Sequence, residues 1–169
     1  DFAEDREEVI ARAKAANITR IVTIGSGYGL ESARRSVEIA ESHDGIWATV
    51  GVHPHEVETP YDIDELRNLA KHPKVVAIGE IGLDFFRDWS PADLQEKHFR
   101  AQIELAKEVR KPIVIHSRDA GDKVFEILKE HHAEEVGGVF HCFSENAAFA
   151  ERIVELNFVV SFTGALTFK

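Results

Sequence analysis

The chain has 169 residues, 44% of them hydrophobic and 30% charged, a length and composition that suit one globular domain and exclude a disordered tail. With 20 basic against 30 acidic side chains its formal charge is −10, which excludes a broad basic face for duplex DNA, because nonspecific affinity rests on Lys and Arg neutralising phosphates. Apolar runs such as Phe158 to Val160 fall far short of the roughly 20 residues of a membrane helix, so no membrane partner is expected.

Apolar periodicity predicts a strict alternation of helices and strands. Val9, Ile10, Ala13 and Ala16 recur at helical spacing and predict a helix over 5–16. The β-branched run 20–24 predicts a strand that ends in Gly25-Ser-Gly-Tyr-Gly29, followed by a helix over 30–42. A second strand over 46–52 closes on His53-Pro54-His55, and a helix near 62–71 leads to a strand over 75–80 that ends on Glu80. Ser90-Pro91-Ala92-Asp93 reads as an N-cap, a proline at the first helical position and an acidic first turn, a strong helix start. That helix extends to about 110, with Phe99, Ile103, Ala106 and Val109 as its buried stripe. A strand over 112–116, a helix over 120–131, a strand over 138–141, a helix over 146–156 and a strand over 158–162 complete the pattern.

Strands with apolar interiors joined by helices imply a parallel sheet covered by helices. Two architectures fit: an open doubly wound sheet or a (β/α) barrel. The glycines at 25, 27 and 29 do not make a dinucleotide fingerprint, since its third glycine would fall on Leu30 and no acidic residue closes the next strand. Four consecutive strands are predicted to end in His53, Glu80, His116 and His141. Polar residues at the tips of several strands are how a barrel assembles an active site, whereas an open sheet concentrates its site at one crevice. The pattern favours the barrel.

Two imidazoles and one carboxylate are a familiar set of ligands for a catalytic divalent cation. Each residue alone also has a structural explanation: Glu80 as a helix cap or a partner of Arg87, a strand-end histidine as a satisfied polar group. His43, His72, His98, His131 and His132 fall on helix faces and ends and read as structural or surface positions. The single Cys142 reads as a small apolar residue rather than a nucleophile. It cannot form an internal disulfide, which fits a cytoplasmic location.

The motifs Gly51-Val-His-Pro-His55, Gly79-Glu-Ile-Gly-Leu-Asp-Phe85, Gln95 through Phe99 to Gln102, Pro112-Ile-Val-Ile-His-Ser-Arg-Asp-Ala120, His141-Cys-Phe-Ser144 and Ser161 to Lys169 together resemble, in order, those of the TatD family of metal-dependent deoxyribonucleases. The resemblance implies an amidohydrolase-like TIM-type (β/α) barrel, here a partial barrel of about six parallel strands with outer helices, as a single domain over 1–169. It implies a hydrolase, often a 3′ to 5′ exonuclease on DNA or RNA, using one or two divalent cations (Mg²⁺, Mn²⁺ or Zn²⁺). Glu80, His116 and His141 would be metal ligands, with Glu80 bridging two ions, and His53, His55 and Arg118 would face the substrate. Arg118 suits phosphate as a planar, permanently charged fork; its alternative is a salt bridge to Asp119 or Asp122. The partner is then a single-stranded nucleic acid end, and the intact protein is expected to be a monomer.

The chain also departs from the family pattern. The opening strand with its His-x-His pair and a late metal-binding Asp, the natural general base, have no counterpart here. A chain with no methionine that begins at Asp1 is accordingly expected to lack the first strand and the C-terminal strands. Glu145 stands where the family usually has glycine. Two other readings accompany the nuclease: an ester or amide hydrolase acting, for example, on aminoacyl-tRNA, and a noncatalytic partial barrel.

Overall fold

The β-branched runs become six strands: β1 (Ile21–Gly25), β2 (Ile46–Val50), β3 (Val75–Asp84), β4 (Ile113–Arg118), β5 (Gly138–Phe140) and β6 (Phe158–Val160). They alternate with α1 (Arg6–Ala15), α2 (Gly29–Ser42), α3 (Ile63–Ala70), α4 (Ala92–Val109), α5 (Gly121–Glu130) and α6 (Ala147–Glu155) in a computed structural model that describes residues 2–87 and 89–168. Neighbouring strands are all parallel, and their spatial order is β1-β2-β3-β4-β5-β6. An order that never reverses has no switch point of the doubly wound kind. Successive right-handed crossovers then place every helix on the same side, and the twisted sheet forms a barrel wall. The α/β class expected from the alternation is observed, and strand order decides between its two architectures.

Apolar burial concentrates in the middle of the wall. Ala48 and Val50 of β2, Ile78, Ile81 and Leu83 of β3, and Ile113 and Ile115 of β4 are fully enclosed, as are Phe99, Ile103 and Ala106 of α4, the helix packed on β3. Each such Ile, Leu or Phe side chain contributes roughly 1.5–3 kcal/mol relative to its exposed state. Val22 and Ile24 of β1 and Val159 of β6 are exposed, so the two outer strands add less.

Three local expectations change. β3 continues past Glu80 to Asp84, so Glu80 lies inside the strand, beside a register shift between Gly79 and Ile81. Gly79 and Gly82 are needed for close approach to β4: a Cβ at Gly82 would lie 2.0 Å from the His116 carbonyl oxygen, and one at Gly79 would lie 2.5 Å from Val114 Cβ. His116 is likewise interior to β4, while His53 follows the end of β2 by three residues and His141 directly follows β5. Ser90 does not cap α4. Pro91 is extended and occupies the capping position itself, and the buried Ser90 hydroxyl has no partner among the described residues.

Gly82→Ala is expected to lower stability by more than about 2 kcal/mol, because its methyl group must push two paired strands apart. Gly164→Ala, with nothing within 4 Å of the added carbon, is expected to stay within about 0.5 kcal/mol. Urea unfolding midpoints of the two variants give the comparison.

Candidate metal centre

The site is built on the ends of β2, β3 and β4. After β2 the chain makes a single 3-10 turn, Pro54–Glu56, that presents His53 and His55. Glu56 anchors this turn: its Oε2 accepts the backbone N–H groups of Gly27 (3.1 Å) and Gly29 (3.0 Å). The glycine-rich loop after β1 therefore cradles an anion, as such loops do, but the anion is a carboxylate of the same chain.

β3 and β4 lie side by side and supply Glu80, Asp84 and His116. Asp84 is fully buried. Its Oδ2 accepts from His55 Nε2 at 2.7 Å and His116 Nε2 at 2.9 Å, and its Oδ1 accepts the backbone N–H groups of Phe86 (3.1 Å) and Arg87 (2.8 Å). Burial alone raises its pKa, yet the Arg87 N–H and the two imidazoles outweigh burial and hold the carboxyl at about 2. It is an anion with every acceptor direction in use.

That anion sets the tautomers. With Nε2–H of His116 given to Asp84, the Nδ1 lone pair of His116 faces Glu80 Oε1 at 3.1 Å. His53 Nδ1 accepts the His55 N–H at 3.2 Å, which places the His53 proton on Nε2, directed at His116 Nδ1 at 3.2 Å. Burial and the neighbouring His116 lower the His53 pKa to about 4, so this ring stays neutral. Burial disfavours charge on Glu80 and His116 as well, but their mutual interaction wins: the Glu80 pKa is lowered and that of His116 is raised.

Two acceptors 3.1 Å apart need a cation between them, either a proton or a metal ion. Ligand atoms about 2.0–2.2 Å from a shared metal are separated by about that distance, so Glu80 Oε1 and His116 Nδ1 fit a divalent ion, with His53 Nε2–H beside them. A second grouping, His55, Asp84 and His116, also brings ligand atoms together. There two N–H groups already satisfy the carboxylate, so the Glu80 side is the better candidate metal position, with Asp84 placed to orient the His116 ring as a carboxylate orients a ligand histidine.

Two buried glutamines of α4 hold the frame. Gln102 accepts the Val52 N–H (2.8 Å) and donates to the Val52 carbonyl (3.1 Å), just before His53. Gln95 accepts the Asp84 N–H (2.9 Å) and donates to the carbonyls of Asp84 (3.1 Å) and Ser90 (2.8 Å). They are seven positions apart, two helical turns on one face.

Of the residues singled out in the sequence, Glu80, His116, His53 and His55 come together. His141 lies beside them, its N–H on the Ile115 carbonyl at 2.9 Å and its ring near enough to influence Glu80, but it is exposed and outside both ligand groupings. Arg118 forms no salt bridge with Asp122, which pairs with Arg152 at 2.8 Å; its guanidinium lies over the Phe86 ring, 3.8 Å from the centroid. The alternative pairing of Glu80 with Arg87 does not occur. His43, His72, His98, His131 and His132 bond to Glu7, Glu41, the Tyr61 hydroxyl, Glu104 and Glu134, all away from the centre. Sequence reasoning assigned no role to Asp84. Its even spacing from Glu80 along a continued strand was the available signal.

The chain matches the family described as TatD related DNase over residues 1–169. It is 48% identical over 170 residues to the uncharacterized metal-dependent hydrolase YabD of Bacillus subtilis, covering 99% of this chain and 66% of that protein. It is 41% identical over 169 residues to the 3′-5′ ssDNA/RNA exonuclease TatD of a Rahnella species, covering 96% and 62%. Among solved structures, YjjV, a TatD homolog from Escherichia coli, superposes with a TM-score of 0.89 at 33% identity over 99% of this chain and 65% of that one. The chain thus spans about two thirds of the length of these relatives.

Asp84→Asn is expected to weaken divalent-metal affinity about 10- to 100-fold, since Asn no longer dictates the His116 tautomer; calorimetric titration with Zn²⁺ or Mn²⁺ measures it. Gln102→Leu, which leaves the buried Val52 N–H and carbonyl unpaired, is expected to cost about 2 kcal/mol or more in thermal or urea unfolding.

Proposed function

The chain belongs to the TatD-related DNase family, and from that premise we propose that it forms the main part of the catalytic barrel of a divalent-metal-dependent exonuclease. Its substrate is the 3′ end of single-stranded DNA or RNA, the activity named for the Rahnella relative. The observation that carries this reading is the approach of Glu80 Oε1 to His116 Nδ1 at 3.1 Å, with Asp84 fixing the ring from behind.

Glu80 and His116 would hold the ion, joined by His141 from the neighbouring strand, and Glu80 has a second oxygen for a second ion. A divalent cation supplies polarisation of a phosphoryl oxygen and a lowered pKa for attacking water. His53 Nε2–H points into the same space and can donate to a phosphoryl oxygen. Arg118, at the end of β4, offers a bidentate fork to the phosphate group. Together these charges favour an anion locally in a chain of net charge −10. The reading extends to a cytoplasmic monomer in which the barrel is completed by strands beyond this chain.

With Mg²⁺, Mn²⁺ or Zn²⁺ present, the full protein is expected to shorten a 5′-labelled single strand from its 3′ end. Glu80→Ala is expected to reduce the rate by at least about a hundredfold, and EDTA to abolish it. Turnover of an aminoacyl ester with no shortening of either nucleic acid would overturn the nuclease reading.

A further inference from the structure

Beside the metal centre lies an aromatic surface that the catalytic residues leave unused. Between β3 and α4 the chain exposes Phe85, Phe86 and Trp89 at 41%, 52% and 58% of their full accessibility. An exposed apolar side chain by itself is ordinary; three within five residues at the rim of an active site form a patch. The segment is pinned rather than loose. Gln95 binds both its ends, at Asp84 and Ser90, Asp84 takes the N–H groups of Phe86 and Arg87, and Phe85 N–H donates to the Arg118 carbonyl at 2.9 Å.

Two cations stand among the rings. The Arg118 guanidinium lies 3.8 Å from the Phe86 centroid, and that of Arg87 lies 5.3 Å from Phe86 and 5.4 Å from Trp89. Neither takes part in an ion pair among the described residues, whereas Arg12, Arg34, Arg67, Arg100 and Arg152 all do. What distinguishes Arg87 and Arg118 is their place: both guanidiniums lie over exposed aromatic rings beside the metal centre. The patch is also continuous with the centre: Trp89 meets His55 edge-on at 4.5 Å between centroids, and His55 shares Asp84 with His116.

An apolar protein partner would account for the rings but not for the cations, and a duplex backbone for the cations but not for the rings. A single-stranded nucleotide accounts for both, since bases stack on aromatic faces whatever their identity and phosphates pair with guanidinium forks. The geometry points to a base-stacking subsite, in which Trp89 and Phe86 carry a base next to the scissile end while Arg87 and Arg118 hold the adjoining phosphates. This rests on the nuclease reading and adds a physical basis for unpaired substrates, because a base inside a duplex already has both faces covered.

The test uses the full protein and two 5′-fluorescein-labelled oligothymidylates, one intact and one abasic at its three 3′-terminal positions. Anisotropy in EDTA gives binding, and added Mn²⁺ gives hydrolysis. Wild type is expected to prefer the intact strand on the order of tenfold, Trp89→Ala to bring that ratio close to one, and Trp89→Phe to retain most of it. Equal handling of both strands by wild type, or a Trp89→Ala ratio unchanged from wild type, would overturn the subsite while leaving the nuclease reading in place. If wild type neither binds nor shortens either strand, both fall together.

Discussion

One buried carboxylate organises this site. Asp84 accepts four hydrogen bonds, two from imidazoles and two from the backbone of the segment that follows it. Removing such a group from water costs several kcal/mol unless its acceptor directions are filled, so the geometry around it is tightly determined. The His116 ring is oriented with one nitrogen turned towards Glu80, His55 is held beside it, and the Phe85–Arg87 backbone is turned outward. The tautomers, the candidate metal position and the direction of the backbone after β3 all follow from this residue.

The frame behind it comes from α4. Gln95 and Gln102 project from one face of the helix and close two-point hydrogen bonds on the backbone at the ends of two strands. An amide with its donor and acceptor matched to the C=O and N–H of one residue resists sliding and rotation alike. The helix thereby works as a ruler, setting the height of His53 against Asp84. Phe99 and Ile103 on the same helix secure it by burial alone, so packing supplies the stability and the glutamines supply the alignment.

Several carboxylates near the mouth are occupied by partners of the same chain. Glu56 fills the glycine-rich loop after β1, Asp122 pairs with Arg152, and Glu80 faces His116. Arg87 and Arg118 rest against aromatic rings instead, which leaves their charge available. The distribution of charge near the site, rather than its sum over the chain, decides what anion can approach.

The alternation of helices and strands was legible in the sequence because burial imposes a period of about 3.6 on a helix and of 2 on a strand. The positions of Glu80, His116 and His53 were legible too, since a charged or imidazole side chain at the end of an apolar run is conspicuous. Boundaries were less so: the strand expected to end on Glu80 runs on to Asp84, with Gly79 and Gly82 packed closely against β4, and Ser90 read as a cap although Pro91 takes that place. Asp84, Gln95 and Gln102 acquire meaning only from partners distant along the chain, because a hydrogen bond depends on distance and direction in space. The polar strand tips favoured the barrel over the open sheet, but the pairing order of the strands is a property of the folded chain. The sequence by itself determined which residues are buried and which are chemically competent; the tertiary structure decided the strand order, the tautomers and which side chains face one another.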